Sequence, residues 1–143
     1  MKRLKGFTLI ELIIVIIILG ILAAYAVPKY MSVDKEARIS VIKGLEGSVR
    51  TASEMVHALA IAKNATTSVN IGTSNVNVDS TSKYPVATAV GISAALTDTS
   101  GFTAANAGNV MNYTLTGTTA NTCTVTYDVS TTPPSISRTE TGC

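Results

Sequence analysis

The order of apolar and polar positions divides the chain into three stretches. Leu12 to Val27 is an unbroken run without a charged residue, and Phe7 to Ile10 extends it backward across a single Glu11. A helix from Phe7 to Pro28 would be about 30 Å long at 1.5 Å per residue, which matches the hydrocarbon thickness of a bilayer. From Tyr30 to Lys63 the pattern becomes that of an amphipathic helix. Val33, Ala37, Val41, Leu45, Val49, Ala52, Val56 and Leu59 recur at three- and four-residue spacing and predict one apolar face. Charged residues occupy other positions, with Glu46 and Arg50 a favourable i,i+4 pair. Only Pro28 interrupts helical propensity between the two stretches, so Phe7 to Lys63 reads as one long helix of about 85 Å. Its apolar half has to be covered by lipid or by other chains.

After Asn64 the composition shifts to Thr, Ser, Asn, Gly and Val, and period-2 alternation appears near the C-terminus. Met111, Tyr113 and Leu115 alternate before a turn-like stretch, Gly117 to Asn121, and Cys123, Val125, Tyr127 and Val129 alternate after it. The pattern predicts an antiparallel hairpin whose larger apolar groups share one face. Thr131 to Pro134 reads as a second turn and Ser135 to Thr139 as a third strand. Ala65 to Asp79 reads as a loop with one or two short strands, and Gly91 to Ala107 as a small helix in a polar loop. The fold class expected is α+β, with a long N-terminal helix packed on a small antiparallel sheet.

Composition narrows the function. The chain has 143 residues, 46% hydrophobic but only 14% charged, where a soluble domain carries about a quarter charged. One His and two Cys exclude His-rich zinc sites, four-cysteine clusters and Cys-x-x-Cys redox pairs. Asp79, Asp98, Asp128 and Glu140 are scattered, and neither a P-loop nor a Gly-x-Gly-x-x-Gly run is present. No enzyme activity, cofactor or metal is expected. His57, beside Val56 on the helix, reads as a surface or groove-lining residue. The net charge of +2, without a basic stripe, does not predict a nucleic-acid partner. Lys2, Arg3 and Lys5 precede the apolar run and, by the positive-inside rule, place that end in the cytoplasm and everything after Pro28 across the membrane. Without those three of the eleven basic residues, against nine acidic ones, the balance turns from +2 to −1. Cys123 and Cys143 then lie in an oxidising compartment, where a disulfide is expected. An ordinary secretory signal competes, since Ala24-Tyr25-Ala26 has the small-x-small form of its cleavage site. Glu11 at the start of the apolar run, and the amphipathic continuation past Pro28, fit a retained helix better.

The junction Gly6-Phe7-Thr8-Leu9-Ile10-Glu11, between a short basic leader and the apolar run, resembles the type IV prepilin signature. The resemblance covers Met1 to about Arg50 and implies a lollipop-shaped subunit with a C-terminal disulfide loop. It divides the chain into a cytoplasmic leader (1–6), a transmembrane and polymerisation half-helix (7–28), an amphipathic half-helix (29–63) and a globular head (64–143). It implies cleavage between Gly6 and Phe7 by a prepilin peptidase, N-methylation of Phe7, and a structural role as the major subunit of a pilus used in adhesion or motility. Partners implied are further copies of the chain in a helical homopolymer, the peptidase and methyltransferase, inner-membrane assembly machinery, and the bilayer before assembly. The subunit would move from the bacterial inner membrane to an extracellular fibre. The short leader and Phe7 resemble the type IVa class. Pro28-Lys29-Tyr30, Ala37-Arg38 and Lys43 to Ser48 resemble mannose-sensitive haemagglutinin pilins.

Three residues carry assembly expectations. Glu11 is an acid in an apolar helix, which costs about 2.5–3.5 kcal/mol at a membrane centre. One reading leaves it near headgroups and the helix dipole; the resemblance implies pairing with the Phe7 amine of a neighbouring subunit. Gly20 and Pro28 weaken the helix, either as tolerated kinks with close packing at Gly20 and Ala24, or, as the resemblance to pilins implies, as a stretch that loses helical structure and lengthens on assembly. The alternatives to a major pilin are a pseudopilin or minor pilin, or a membrane-anchored or secreted binding module with a β head.

Overall fold

The computed structural model describes residues 7–119 and 121–143, so the leader, including Gly6, lies outside the described residues. Helix α1 runs Leu9–Ala62 with Pro28 inside it, continuous through Gly20 and Pro28. Its C-terminus is closed by a Schellman motif. Asn64 adopts a left-handed conformation (φ 47°), the Asn64 N–H donates to the Ile61 carbonyl at 3.0 Å, and the Ala65 N–H donates to the Ala60 carbonyl at 2.9 Å.

The chain separates into two compact units, the first ending at Glu36 and the second running Ala37–Cys143. In the first, the helix is exposed along its apolar length, and its most apolar 18-residue window has a mean hydropathy of 2.9 with none of it buried. That stretch is long and apolar enough to cross a membrane.

In the second unit the rest of α1 is followed by a hairpin, β1 (Ser68–Ile71) and β2 (Ser74–Asn77), then a single helical turn α2 (Ile92–Ala95) and four strands. These are β3 (Phe102–Ala107), β4 (Val110–Leu115), β5 (Thr124–Asp128) and β6 (Ser135–Thr139), antiparallel in the order β3-β4-β5-β6. The expected hairpin forms as β4 and β5, with Met111 opposite Tyr127 and Tyr113 opposite Val125, and Ser135–Thr139 is the next strand. Ala65 to Asp79 contains the two short strands, their two-residue turn opened by Gly72 at φ 61°.

Two expectations need correction. Gly91 to Ala107 does hold a helical turn, but its second half is β3 rather than loop. Phe102–Ala107 lacks β-branched alternation and becomes a strand because β4 supplies a template along its whole length, Phe102 opposite Leu115 through Ala107 opposite Val110. The helix face is also rotated at its start. Leu45, Val49, Ala52 and Val56 are buried as expected, whereas Val33 and Val41 are exposed and Ile39 and Ile42 are buried instead.

The core forms two clusters under the helix. Ile42, Leu45, Val49 and Ala52 pack with Met111, Tyr113, Cys123, Val125 and Tyr127 of the four-stranded sheet. Val56 and Ala60 pack with Val69 and Val76 of the hairpin and with Val78, which follows it. Fully burying a Val, Leu or Ile side chain contributes about 1.5–3 kcal/mol, so this interface is the main cohesion of the head.

Candidate functional site

Helix α1 begins in a capping box. The Glu11 carboxylate accepts hydrogen bonds from the Thr8 N–H at 2.9 Å and the Thr8 hydroxyl at 2.7 Å, both through Oε2, while the Glu11 N–H donates to Thr8 Oγ1 at 3.4 Å. Thr-x-x-Glu satisfies two of the helix's orphan donors reciprocally, a pattern legible in Thr8-Leu9-Ile10-Glu11. Glu11 therefore has a local role in ordering the first turn. Its Oε1 has no partner among the described residues and remains open to a donor from outside the chain.

Around Glu11 the surface is continuously apolar: Phe7 is 87% exposed, and Leu9, Ile10, Leu12, Ile16, Leu19 and Leu22 are all exposed. Such a surface is stable only in lipid or against other apolar chains. Beyond the adjoining helix backbone, no described residue lies within 4 Å of where a Gly20 Cβ would stand, so no packing contact among the described residues requires a glycine there. Pro28 withdraws the donor that would have reached the Ala24 carbonyl, and four residues later the Ser32 hydroxyl donates back to the Lys29 carbonyl at 2.8 Å.

At the other end of the chain Cys123 and Cys143 form a disulfide, with their Cα atoms 4.9 Å apart. The Gly142 N–H donates to the Thr122 carbonyl at 2.8 Å, and a Cβ on Gly142 would stand 2.1 Å from Thr122 Oγ1, so this close approach requires glycine. Arg138 on β6 pairs with Glu46 of the helix and with Glu140, the latter at 2.6 Å, and Glu46 also pairs with Arg50 at 3.3 Å. The Arg138 guanidinium holds both carboxyls below the ordinary glutamate range. The C-terminal strand is thereby tied to the helix by charge, and the segment after it is tied by a covalent bond to the residue that precedes β5.

The remaining candidates are structural. His57 is half-buried and stacks on Tyr84, ring centroids 3.8 Å apart and planes within 2°. Asp79, Asp98 and Asp128 each cap a turn by accepting a backbone N–H. Among the described residues no group of three His, Cys, Asp or Glu could hold a metal ion.

Comparison with known proteins agrees with this picture at the N-terminus. Residues 1–27 match the prokaryotic N-terminal methylation motif. The type IV major fimbrial protein FimA of Dichelobacter nodosus is 50% identical over 50 residues, which are 35% of this chain and 32% of that protein. The type II secretion system core protein G of Pseudomonas aeruginosa is 44% identical over 38% of each chain. The type IV narrow pilus major component PilA5 of Thermus thermophilus is 48% identical over 35% of this chain and 43% of its own. The chain thus matches well under half the length of these relatives, which are structural components rather than enzymes. No solved structure is significantly similar to it.

Proposed function

From the premise that this chain carries the N-terminal segment of a type IV prepilin, we propose that it is a structural pilin, the repeating subunit of an adhesive or motile surface fibre. The observation that carries the proposal is the exposed, uncharged helix surface from Leu12 to Val27, which lies within the stretch that matches the methylation motif. In this account a peptidase removes residues 1–6 after Gly6, and Phe7 becomes a methylated, still cationic N-terminus. The apolar half-helix (7–28) is stored in the inner membrane with its N-terminus cytoplasmic. Assembly then transfers it from lipid into a bundle of like helices, while the amphipathic half (29–63) and head (64–143) form the outside of the fibre. Adhesion to a surface would be the work of that outer layer.

Glu11 sets the axial register. Its free Oε1 accepts the Phe7 amine of a neighbouring subunit, so that both charges enter the apolar fibre core paired. Gly20 and Pro28 supply a stretch of helix that can give way as subunits stack. Identity to a type II secretion core protein supports a second reading, a pseudopilin of a secretion system.

The test compares sheared-fibre yield with membrane-fraction subunit for wild type, Glu11→Ala and Glu11→Gln. Removing an acid from the membrane helix leaves insertion unchanged or improved. Fibres should be lost while processed subunit persists. Normal fibre yield from both variants refutes the register role and leaves Glu11 with its capping function alone.

A further inference from the structure

The four-stranded sheet has two unlike edges. The β6 edge follows Pro133 and Pro134 and carries Arg138, held by Glu46 and Glu140, all of which obstruct a further strand. The β3 edge has no such protection. Phe102-Thr-Ala-Ala-Asn-Ala contains neither charge nor proline, and Thr103 to Ala107 are all exposed.

The hydrogen-bond parity shows which backbone groups on that edge are free. The Thr116 N–H donates to the Gly101 carbonyl, so with the observed register Thr103, Ala105 and Ala107 turn their backbone groups toward β4. Phe102, Ala104 and Asn106 turn theirs outward. The Phe102 N–H is taken by the Thr99 carbonyl, but the N–H and C=O of Ala104 and Asn106 have no backbone partner among the described residues. The Asn106 amide side chain is drawn to the Ala87 carbonyl, which leaves its main chain clear.

We propose that β3 pairs antiparallel with β3 of a second copy, in the register that places Ala105 opposite Ala105 of that copy. This register uses only free groups, because Ala104 and Asn106 of each chain exchange both N–H and C=O with Asn106 and Ala104 of the other. A shift centring the pair on Ala104 would require the Phe102 N–H, which is already engaged. The side chains placed opposite each other are Thr103 with Ala107, Ala104 with Asn106 and Ala105 with itself, all uncharged, so no like charges oppose each other. The second copy is favoured as occupant by this self-complementarity. The result is one continuous eight-stranded sheet across two heads, a lateral contact between subunits that needs only the head. It is separate from helix-driven polymerisation, and in a fibre it would join neighbouring fibres side by side.

Cysteine cross-linking of the full-length chain in detergent micelles tests the register. Ala105 would form a non-hydrogen-bonded pair with itself at a Cα separation of about 4.5 Å, within disulfide range. Under mild oxidation Ala105→Cys should give a covalent dimer. Thr103→Cys and Ala107→Cys should each give none alone but a heterodimer when mixed. Ala104→Pro, which removes an outward N–H without touching the β4 ladder, should abolish the Ala105→Cys dimer. Mass confirming the Cys123–Cys143 bond shows that each variant is folded. The proposal is overturned by equal cross-linking at all three positions, which is what helix-driven association gives, by a dimer that survives Ala104→Pro, or by a folded Ala105→Cys chain that stays monomeric.

Discussion

Replacing Tyr127 by Phe removes one oxygen from the point where helix, loop and sheet meet. The Tyr127 hydroxyl is fully buried, donates to the Pro85 carbonyl at 2.8 Å, and lies 3.4 Å from the hydroxyl of Ser53 on α1. A buried hydrogen bond contributes about 0.5–1.5 kcal/mol, but an acceptor left unsatisfied costs about 1–3 kcal/mol. Pro85 is itself buried and its carbonyl has no other donor among the described residues, so Tyr127→Phe should lower stability by about 1–3 kcal/mol. Ser53→Ala should cost less, about 1 kcal/mol at most, because Tyr127 keeps its Pro85 bond. A second signature is alkaline. Burial holds the Tyr127 phenol well above its ordinary value of 10.0, so above that pH the unfolded chain ionises first and wild-type stability falls as pH rises. Tyr127→Phe lacks that contribution, and the gap between the two proteins narrows in base. Urea unfolding of the detergent-solubilised chain, followed by tyrosine near-ultraviolet circular dichroism at pH 7 and above 10, measures both. A loss at pH 7 below about 0.5 kcal/mol, the size of an ordinary surface substitution, or a gap that widens with pH, refutes the reasoning.

Replacing both Cys123 and Cys143 by Ser should lower stability by about 3 kcal/mol on the chain-entropy account, read as a lower urea midpoint; an unchanged midpoint contradicts it. Arg138→Gln tests the charged tether. Because Arg138 depresses the Glu46 and Glu140 carboxyls, its contribution is present above their ordinary value of 4.5 and is lost as pH falls through their lowered values. The variant should be less stable at neutral pH and decline less steeply in acid, and parallel acid profiles count against the tether.

How much of this was readable in advance depended on whether a pattern was local. The amphipathic half of the helix and the β4–β5 hairpin follow from periodicity, because each has one apolar face; the first half of the helix follows from its unbroken apolar run, and β6 from the Pro-Pro turn before it. Strand β3 was not legible, since Thr, Ala and Asn carry no alternation and only pairing with β4 makes them a strand. The start of the buried helix face was misread for a related reason. Val33, Ala37 and Val41 and the pair Ile39 and Ile42 are equally apolar, and only the sheet's position selects the latter. The helix ends fall within two residues of the expected Phe7 and Lys63, but the motifs that close them were readable and were not read: Thr8-x-x-Glu11 is a capping box, and Asn64 before Ala65 is a left-handed stop. At the site, Glu11 was singled out by its charge in an apolar run, while its bond to Thr8 changes what it does within one chain. It caps the helix through Oε2 and makes no bond through Oε1 among the described residues.

The most direct test of the pilin account is the mass of the mature N-terminal peptide of the chain isolated from cells that express it. The account predicts a chain beginning at Phe7 and carrying one N-methyl group, with full-length precursor accumulating when Gly6 is replaced by a bulky residue. A chain beginning at Val27 would make the helix a discarded secretory signal, and one beginning at Met1 would make it a simple anchor; either contradicts processing and assembly as a pilin.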